Sequence, residues 1–150
     1  MNGKGKEMSR KLFNIAENIS STLNMTVQFK QLENFGGGCI NQVFKISDIK
    51  GRSWLVKENS PHLLDMFVAE AEGLMETYNS RSIRCPEVIC YGETGQSSYL
   101  VLEYIDLSNK GDNAKTGEKL AKMHHQQGEA FGWHRDNTIG TTPQSNLKST

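Results

Sequence analysis

Residues 36–43 of this sequence are Gly36-Gly37-Gly38-Cys39-Ile40-Asn41-Gln42-Val43, a glycine-rich stretch between two strand-like runs. Val27 and Phe29 alternate with polar residues before it, and a short strand-like run, Gln42–Ile46, overlaps its end. Glycine lets the backbone approach a phosphate closely and offers bare N–H groups to it. The stretch therefore predicts either a simple hairpin turn or a phosphate-binding loop.

The spacing within this stretch favours the phosphate-binding interpretation. It fits the kinase template G-x-G-x-x-G-x-V at Gly36, Gly38 and Val43, with Asn41 in the place of the third glycine. Asn is the best substitute for glycine where a positive φ is needed. No Gly-Lys-Ser or Gly-Lys-Thr follows, so the stretch is not a Walker A motif.

Lys57 closes the next predicted strand and shares a face with Leu55. In kinases, a lysine on this strand reaches the phosphates and is held by a carboxylate of the following helix. That helix carries Glu70 and Glu72, each about 100° from the middle of its apolar stripe. Periodicity does not choose between them, and either one taken singly also suits a solvated boundary position.

The remaining segments complete a mixed pattern of helices and strands. We predict a helix at about Glu7–Leu23, strands at Met25–Leu32, Gln42–Ile46 and Ser53–Lys57, a helix from the N-cap Ser60 to Asn79, strands at Pro86–Cys90 and Ser98–Ile105, and a helix at about Ala114–Gln127. Residues 128–150 are expected to be irregular, with Phe131 and Trp133 as core anchors. This order predicts an α+β fold, a five-stranded antiparallel sheet with one helix inserted after the third strand. Such a sheet is the small lobe of the protein-kinase-like fold.

Composition narrows the class of protein. The 150 residues suit one domain, and 17 basic residues balance 17 acidic ones, which argues against nucleic acid or an anionic membrane as partner. No apolar run approaches the roughly 20 residues of a membrane span. Three irregularly spaced cysteines do not form a disulfide framework, so we expect a soluble, cytoplasmic protein. Cys39 is either a loop filler or, with N–H groups favouring its thiolate, a redox handle.

The sequence resembles the fructosamine kinase, or ketosamine 3-kinase, family, relatives of the aminoglycoside phosphotransferases. The resemblance covers about Phe13 to Asn146 and rests on the stretches Gly36–Asn41, Val56–Asn59, Met66–Leu74, Ile83–Val88, Leu100–Ile105, Leu120–His124 and Phe131–Asn146. The last of these, Phe-Gly-Trp-x-x-Asp-Asn-x-Ile-Gly-x-Thr-Pro-Gln-x-Asn, is highly specific.

The resemblance implies ATP and Mg²⁺ as cofactors and, as substrate, a fructosamine- or ribulosamine-type ketoamine whose phosphorylation promotes deglycation. It selects Glu70 as the partner of Lys57 and makes Glu103-Tyr104-Ile105 a hinge whose backbone meets the adenine edge. The cofactor-binding residues that it implies are Gly36, Gly37, Gly38, Cys39, Ile40, Asn41, Val43, Leu55, Lys57, Glu70, Glu103, Tyr104 and Ile105.

The sequence departs from the family in one large respect. Family members carry a His-Gly-Asp-Leu-Trp-x-Gly-Asn catalytic loop and a metal-binding aspartate, and neither motif occurs here. We therefore expect no catalytic or metal-ligating residue, and a division into an N-terminal helix (1–24), a nucleotide-binding lobe (25–106) and the start of an incomplete second lobe (107–150).

Two function classes stay open at this point. The chain is either the N-terminal half of a ketoamine kinase, inactive without its C-terminal half, or a truncated, non-catalytic remnant that binds a nucleotide or a partner. The partners expected are ATP, the ketoamine, and either the C-terminal half or a second copy linked through Cys39.

Overall fold

The computed structural model of the chain describes residues 3–37, 40–107 and 111–147. In chain order the elements are α1 (Gly3–Thr22), β1 (Phe29–Gly37), β2 (Gln42–Asp48), β3 (Ser53–Asn59), a short 3₁₀ helix (Pro61–Leu63), α2 (Leu64–Ser80), β4 (Val88–Glu93), β5 (Ser98–Glu103), α3 (Asn113–His124), β6 (Asn137–Ile139) and β7 (Thr142–Gln144). No helix in these ranges is both long and apolar enough to cross a membrane.

Strands β1 to β5 form one antiparallel sheet in the order β1-β2-β3-β5-β4. The first three strands are a meander. Helix α2 then carries the chain to β4 at the far edge, and β5 returns to pair with β3 in the middle. The predicted α+β fold, with five antiparallel strands and a helix inserted after the third, is confirmed.

A helix covers each face of the sheet, and each contact has its own apolar core. Helix α1 buries Ile15 and Ile19 completely against one face, as its apolar stripe predicts. Helix α2 buries Phe67 and Ala71 against the other face. Strand β5, apolar from Tyr99 to Leu102, is therefore buried on both sides.

Strand β3 alternates strictly between these two faces. Trp54 and Val56 enter the α1 core, and Glu58 beside them is 7% exposed and forms an ion pair with Lys11 of α1. Leu55 and Lys57 point to the opposite face, toward α2. The lysine thus reaches the α2 side because the strand places every second residue there.

The turn between β2 and β3 is organised by the buried carboxylate of Asp48, which is 2% exposed. It accepts hydrogen bonds from the backbone N–H groups of Lys50 and Arg52, both at 2.9 Å, and from Arg52 Nε at 2.7 Å. Burial alone would raise the pKa of Asp48, but the hydrogen bonds from Arg52 and Lys50 outweigh burial and lower it.

The structure corrects several predicted boundaries. Strand β1 begins at Phe29, not Met25, because the preceding residues hydrogen-bond to the end of α1: the Val27 N–H donates to Ser20 Oγ and the Met25 N–H to the Ser20 carbonyl. The side chain of Ser60 caps no helix; its carbonyl accepts the Leu63 N–H and opens the 3₁₀ helix that precedes α2.

The C-terminal segment, residues 111–147, also differs from the prediction. Residues 128–150 are not wholly irregular, because β6 and β7 form a hairpin that turns at Gly140, where φ is +63°. Phe131 is 77% exposed and so is not a core anchor, while Trp133 is half-buried. Short strands of this kind give too little alternation to be detected in a sequence.

Candidate functional site

Lys57 and Glu70 form the ion pair that the family resemblance implies. Lys57 lies on β3 between Val43 of β2 and Leu100 of β5, and its Nζ donates to both carboxylate oxygens of Glu70, at 2.6 and 2.7 Å. The side chains are 22% and 31% exposed, so the pair stands at the edge of a cleft and not inside the core.

Glu72, the other candidate, does not contact Lys57. Its carboxylate accepts from Arg135 Nη1 at 3.2 Å and lies 3.1 Å from His134 Nε2. The periodicity of α2 left the two glutamates equivalent, and the structure distinguishes them: Glu70 pairs with Lys57, and Glu72 pairs with the C-terminal segment.

The glycine stretch forms the end of β1 and the turn into β2. Gly36 and Gly37 belong to β1, and Gly37 pairs with Gln42. Gly38 and Cys39 lie outside the described residues, so the redox and dimer roles expected of Cys39 stay predictions. Asn41 stands in the place of the third glycine of the template, but its φ is not positive; among the described non-glycine residues only Asn24 and Arg81 have a positive φ.

Asn41 instead takes part in a side-chain contact that the sequence analysis missed. The amide of Asn59, at the end of β3, donates to Asn41 Oδ1 at 2.7 Å and to the Ile40 carbonyl at 2.8 Å. Asn59 Oδ1 in turn accepts the Ser60 N–H at 2.8 Å. Asn59 therefore holds the exit of the glycine stretch against the strand that carries Lys57. The feature of the sequence that could have pointed to Asn59 is its position two residues after Lys57, at the end of the same strand.

A cleft of about 490 Å³ opens beside the ion pair. One part of its wall comes from the glycine stretch, β3 and α2, through Asn41, Lys57 and Glu70. Another part comes from the C-terminal segment, through Trp133 and Thr138. The Lys57 amine with its paired Glu70 carboxylate, side-chain amides and a hydroxyl thus line one open space, and the amine, amides and hydroxyl can donate to an anionic ligand.

A second, more apolar cleft of about 700 Å³ lies at the other end of the same sheet face. Leu55 lines it, and Leu55 is two residues, or roughly 7 Å, from Lys57 along β3. Tyr104 and Ile105, which follow β5, line it as well. The ring of Tyr104 stacks on Phe35 of β1, with centroids 6.2 Å apart and planes 5° apart. Two aromatic rings, those of Phe35 and Tyr104, thus lie parallel to each other in this cleft.

The chain leaves the sheet beside this second cleft, at the predicted hinge. Glu103 accepts from Arg84 Nη2 at 2.6 Å, and its N–H donates to the Glu87 carbonyl at 2.8 Å. The Nζ of Lys45 lies 4.5 Å from the centroid of the Tyr104 ring. These contacts fix the start of the hinge. The sequence analysis identified neither Phe35, which lines this cleft, nor Lys45, which approaches Tyr104, because neither belongs to a motif.

Neither of the two described cysteine thiols has a lowered pKa. Burial raises the pKa of Cys90 to about 12 and also raises that of Cys85, so both disfavour the thiolate. Within residues 3–37, 40–107 and 111–147 no three His, Cys, Asp or Glu side chains are grouped so as to hold a metal ion.

Comparisons with known proteins agree on one family. The sequence matches the family model "Fructosamine kinase" over residues 12–150. It is 38% identical to "Probable ketoamine kinase slr1563" of Synechocystis sp. over 88% of the chain, and 40% identical to "Protein-ribulosamine 3-kinase, chloroplastic" of Arabidopsis thaliana over 85%. A crystal structure from Haemophilus somnus, "Putative fructosamine-3-kinase", superposes with a TM-score of 0.82 at 27% identity over 90% of the chain.

The chain spans about half the length of these relatives. It covers 45% of the Synechocystis protein, 40% of the Arabidopsis protein and 46% of the Haemophilus chain.

Proposed function

This chain belongs to the fructosamine kinase family, and we propose that it supplies the ATP-binding part of a kinase acting on ketoamines. The substrate class is a sugar–amine adduct of the fructosamine or ribulosamine type, phosphorylated on a sugar hydroxyl. Of the domains expected from the sequence, residues 25–106 would hold the nucleotide and residues 107–150 would begin the second lobe. A cytoplasmic location stays a prediction.

The observation that carries the proposal is the Lys57–Glu70 ion pair at the exit of the glycine stretch. In kinases a lysine held by a glutamate of the following helix reaches the phosphates of ATP. Glu70 holds the Lys57 amine at the cleft wall, and Asn59 holds Ile40 and Asn41 beside it. The N–H groups of the glycine stretch would face the phosphates and Lys57 would neutralise their charge.

The apolar cleft supports the same orientation of the nucleotide. Adenine is flat and apolar on both faces, and it would lie against Leu55 with its edge toward the backbone at Tyr104 and Ile105. Because Leu55 and Lys57 share one face of β3, a base at the first and phosphates at the second would occupy one continuous surface.

ATP, when bound, supplies the phosphoryl group, and the residues described here bind and orient it. The described residues fit the nucleotide and do not supply a carboxylate cluster for Mg²⁺, so we assign no metal ligand. The role of this part of the molecule is to place the phosphates, since charge neutralisation and positioning dominate phosphoryl transfer.

Nucleotide binding by the 150-residue chain tests the proposal. We expect titration calorimetry to detect ATP binding, and Lys57→Met to weaken it about tenfold or more, since a hydrogen bond to a charged group contributes roughly 1.5–3 kcal/mol. Lys50→Met is the matched control, because Lys50 is exposed in the β2–β3 turn. Equal affinity in the two variants would contradict the assignment of the cleft.

Phosphate transfer to fructoselysine, followed by mass spectrometry, tests the second part. We expect ATP to bind without transfer by the chain alone, because its sequence holds no His-Gly-Asp-Leu-Trp-x-Gly-Asn loop. Turnover above that of Lys57→Ala would show that this expectation is wrong. Transfer that appears on joining or adding the second half of a ketoamine kinase would favour a kinase over a remnant that only binds.

A further inference from the structure

Three consecutive residues of the C-terminal segment contact helix α2 through glutamates on a different face from Glu70. Trp133 Nε1 donates to Glu76 Oε1 at 2.7 Å, and His134 Nε2 lies 3.1 Å from Glu72 Oε2. Arg135 follows them and contacts two carboxylates of α2. These residues come from a part of the chain distant in sequence, so α2 is held by more than its own packing on the sheet.

Arg135 bridges two carboxylates of α2. Its Nη2 donates to Asp65 Oδ1 at 2.5 Å and its Nη1 to Glu72 Oε2 at 3.2 Å. The guanidinium is 21% exposed, although the Asp65 carboxylate is mostly in solvent. The hydrogen bond to Asp65, followed by that to Glu72, raises the pKa of Arg135 despite the opposing effect of burial. The guanidinium stays protonated, as arginine does in proteins, so it remains a donor to both carboxylates.

The acidic residues of α2 lie on two distinct faces. Glu72 and Glu76 follow Asp65 at roughly two and three helical turns, so these three side chains form one row. Glu70 lies about 160° from Glu72 around the helix axis, at about 100° per residue. A rotation of α2 that moved Glu72 toward Lys57 would therefore also carry Glu70 away from it.

The two ends of residues 135–146 are hydrogen-bonded to each other. Asn146 Nδ2 donates to the Arg135 carbonyl at 3.2 Å, and the Asn146 N–H donates to Asp136 Oδ1 at 2.8 Å. The turn at Gly140 lies so close to the glycine stretch that a Cβ there would be 3.0 Å from Ile40 Cδ1. The segment thus spans from α2 to the exit of the glycine stretch and walls the cleft between them.

We propose that Arg135 is a positioning residue, which by engaging Asp65 and Glu72 fixes the rotation of α2 at which Glu70 holds Lys57. A role of Arg135 in catalysis rests on the proposed function, in which Lys57 binds the phosphates of ATP. The contact itself does not depend on any nucleotide. Arg135 touches no reacting group and acts through Glu70.

The test measures Lys57 directly in the 150-residue chain, without nucleotide. An amine held by both oxygens of Glu70 must leave them before it attacks an acylating reagent, so the acetylation rate of Lys57, read by peptide mass spectrometry, reports how often the pair opens. Exposed Lys50 in the same sample is the internal reference. The variants are Arg135→Ala, Arg135→Lys, Glu70→Gln and the double variant Glu70→Gln with Arg135→Ala. Arg10→Ala, exposed on α1, is the matched control.

We expect Lys57 to be acetylated two- to fivefold faster in Arg135→Ala, which corresponds to about 0.4–1 kcal/mol and lies within the range measured for exposed ion pairs. Arg135→Lys should lie between it and the wild type, because lysine keeps the charge but cannot bridge two carboxylates. In the Glu70→Gln background Arg135→Ala should add nothing further, because Arg135 acts only through Glu70. Arg10→Ala should match the wild type.

Two outcomes would overturn the proposal: an unchanged Lys57 rate in Arg135→Ala while Glu70→Gln raises it, or equal effects of Arg135→Ala with and without Glu70. General unfolding in Arg135→Ala would raise the rates of all lysines together, and Arg135→Lys then decides by the same criteria. Failure of ATP to bind would contradict the proposed function and leave this result standing.

Discussion

The sheet with its two helices and the C-terminal segment, residues 111–147, are held together by different forces. In the first, Ile15, Ile19, Phe67 and their neighbours are fully buried. In the second, α3 has no buried residue along Asn113–His124, and Leu147 is 83% exposed. The segment is attached to α2 by the side chains of Trp133, His134 and Arg135.

The two regions therefore contribute to different properties: the stability of the fold, and the position of the α2 carboxylates relative to Lys57. Burial of an apolar side chain contributes roughly 1.5–3 kcal/mol, whereas an exposed ion pair contributes up to about 1 kcal/mol. The sheet therefore determines whether the molecule folds. The C-terminal segment contributes little to that free energy and instead determines which carboxylate of α2 meets the lysine. Substitutions in the two regions should accordingly change different measurements.

The largest effect should come from Phe67→Ala. Phe67 is fully buried between α2 and the sheet, so its truncation should lower the free energy of unfolding by about 3–5 kcal/mol, as measured by urea titration. The matched truncation in the other region is Leu120→Ala on α3, where the side chain is 42% exposed and the loss should stay within about 0.5 kcal/mol. Losses of similar size would remove the contrast between the regions.

An intermediate effect is expected from Asp48→Asn in the β2–β3 turn. The amide cannot accept all the hydrogen bonds of the buried carboxylate, so we expect a loss of about 1–3 kcal/mol near neutral pH. Asp112→Asn is the control, because Asp112 caps α3 at an exposed site and Asn caps as well as Asp.

The pH dependence sharpens this prediction. The pKa of Asp48 is lower in the folded than in the unfolded chain, whose value is near ~3.9. The stabilisation is therefore complete above about pH 4 to 5 and is lost as the pH falls through the folded pKa. Urea titrations from neutral to acidic pH should show a smaller decline for Asp48→Asn than for the wild type. Parallel curves would mean that another carboxylate causes the acid loss.

The smallest change in global stability should come from Gly132→Ala, with a clear local effect. Gly132 has φ +86°, and a Cβ there would lie 2.6 Å from the Leu147 carbonyl oxygen, so alanine must displace the backbone. We expect hydrogen exchange to accelerate across residues 133–147 while the sheet stays protected. Gly128→Ala is the control, since its Cβ would meet only the Ala130 carbonyl oxygen at 3.5 Å. Faster exchange throughout the sheet would show that the segment is part of the cooperative core.

The same difference explains what could be predicted from the sequence. Alternation and helical periodicity report apolar burial, and they located all five strands of the sheet and the faces of α1 and α2. The Lys57–Glu70 pair was predictable only through the family resemblance, because Glu70 and Glu72 are equivalent by periodicity. Asn59 and Arg135 were missed, because polar contacts between residues far apart in sequence leave no periodic pattern.

Strand β3 makes the sign of the charge in the cleft depend on its register. Lys57 faces the cleft and its neighbour Glu58 faces the α1 core. A slip of β3 by one residue would exchange the two faces. It would present a negative charge to the cleft, leave an ammonium among apolar side chains, and turn Trp54 and Val56 out of their core. A chain paired in the wrong register therefore loses its apolar core together with the positive charge of the cleft. The packing that stabilises the sheet thus also selects the register that places Lys57 in the cleft.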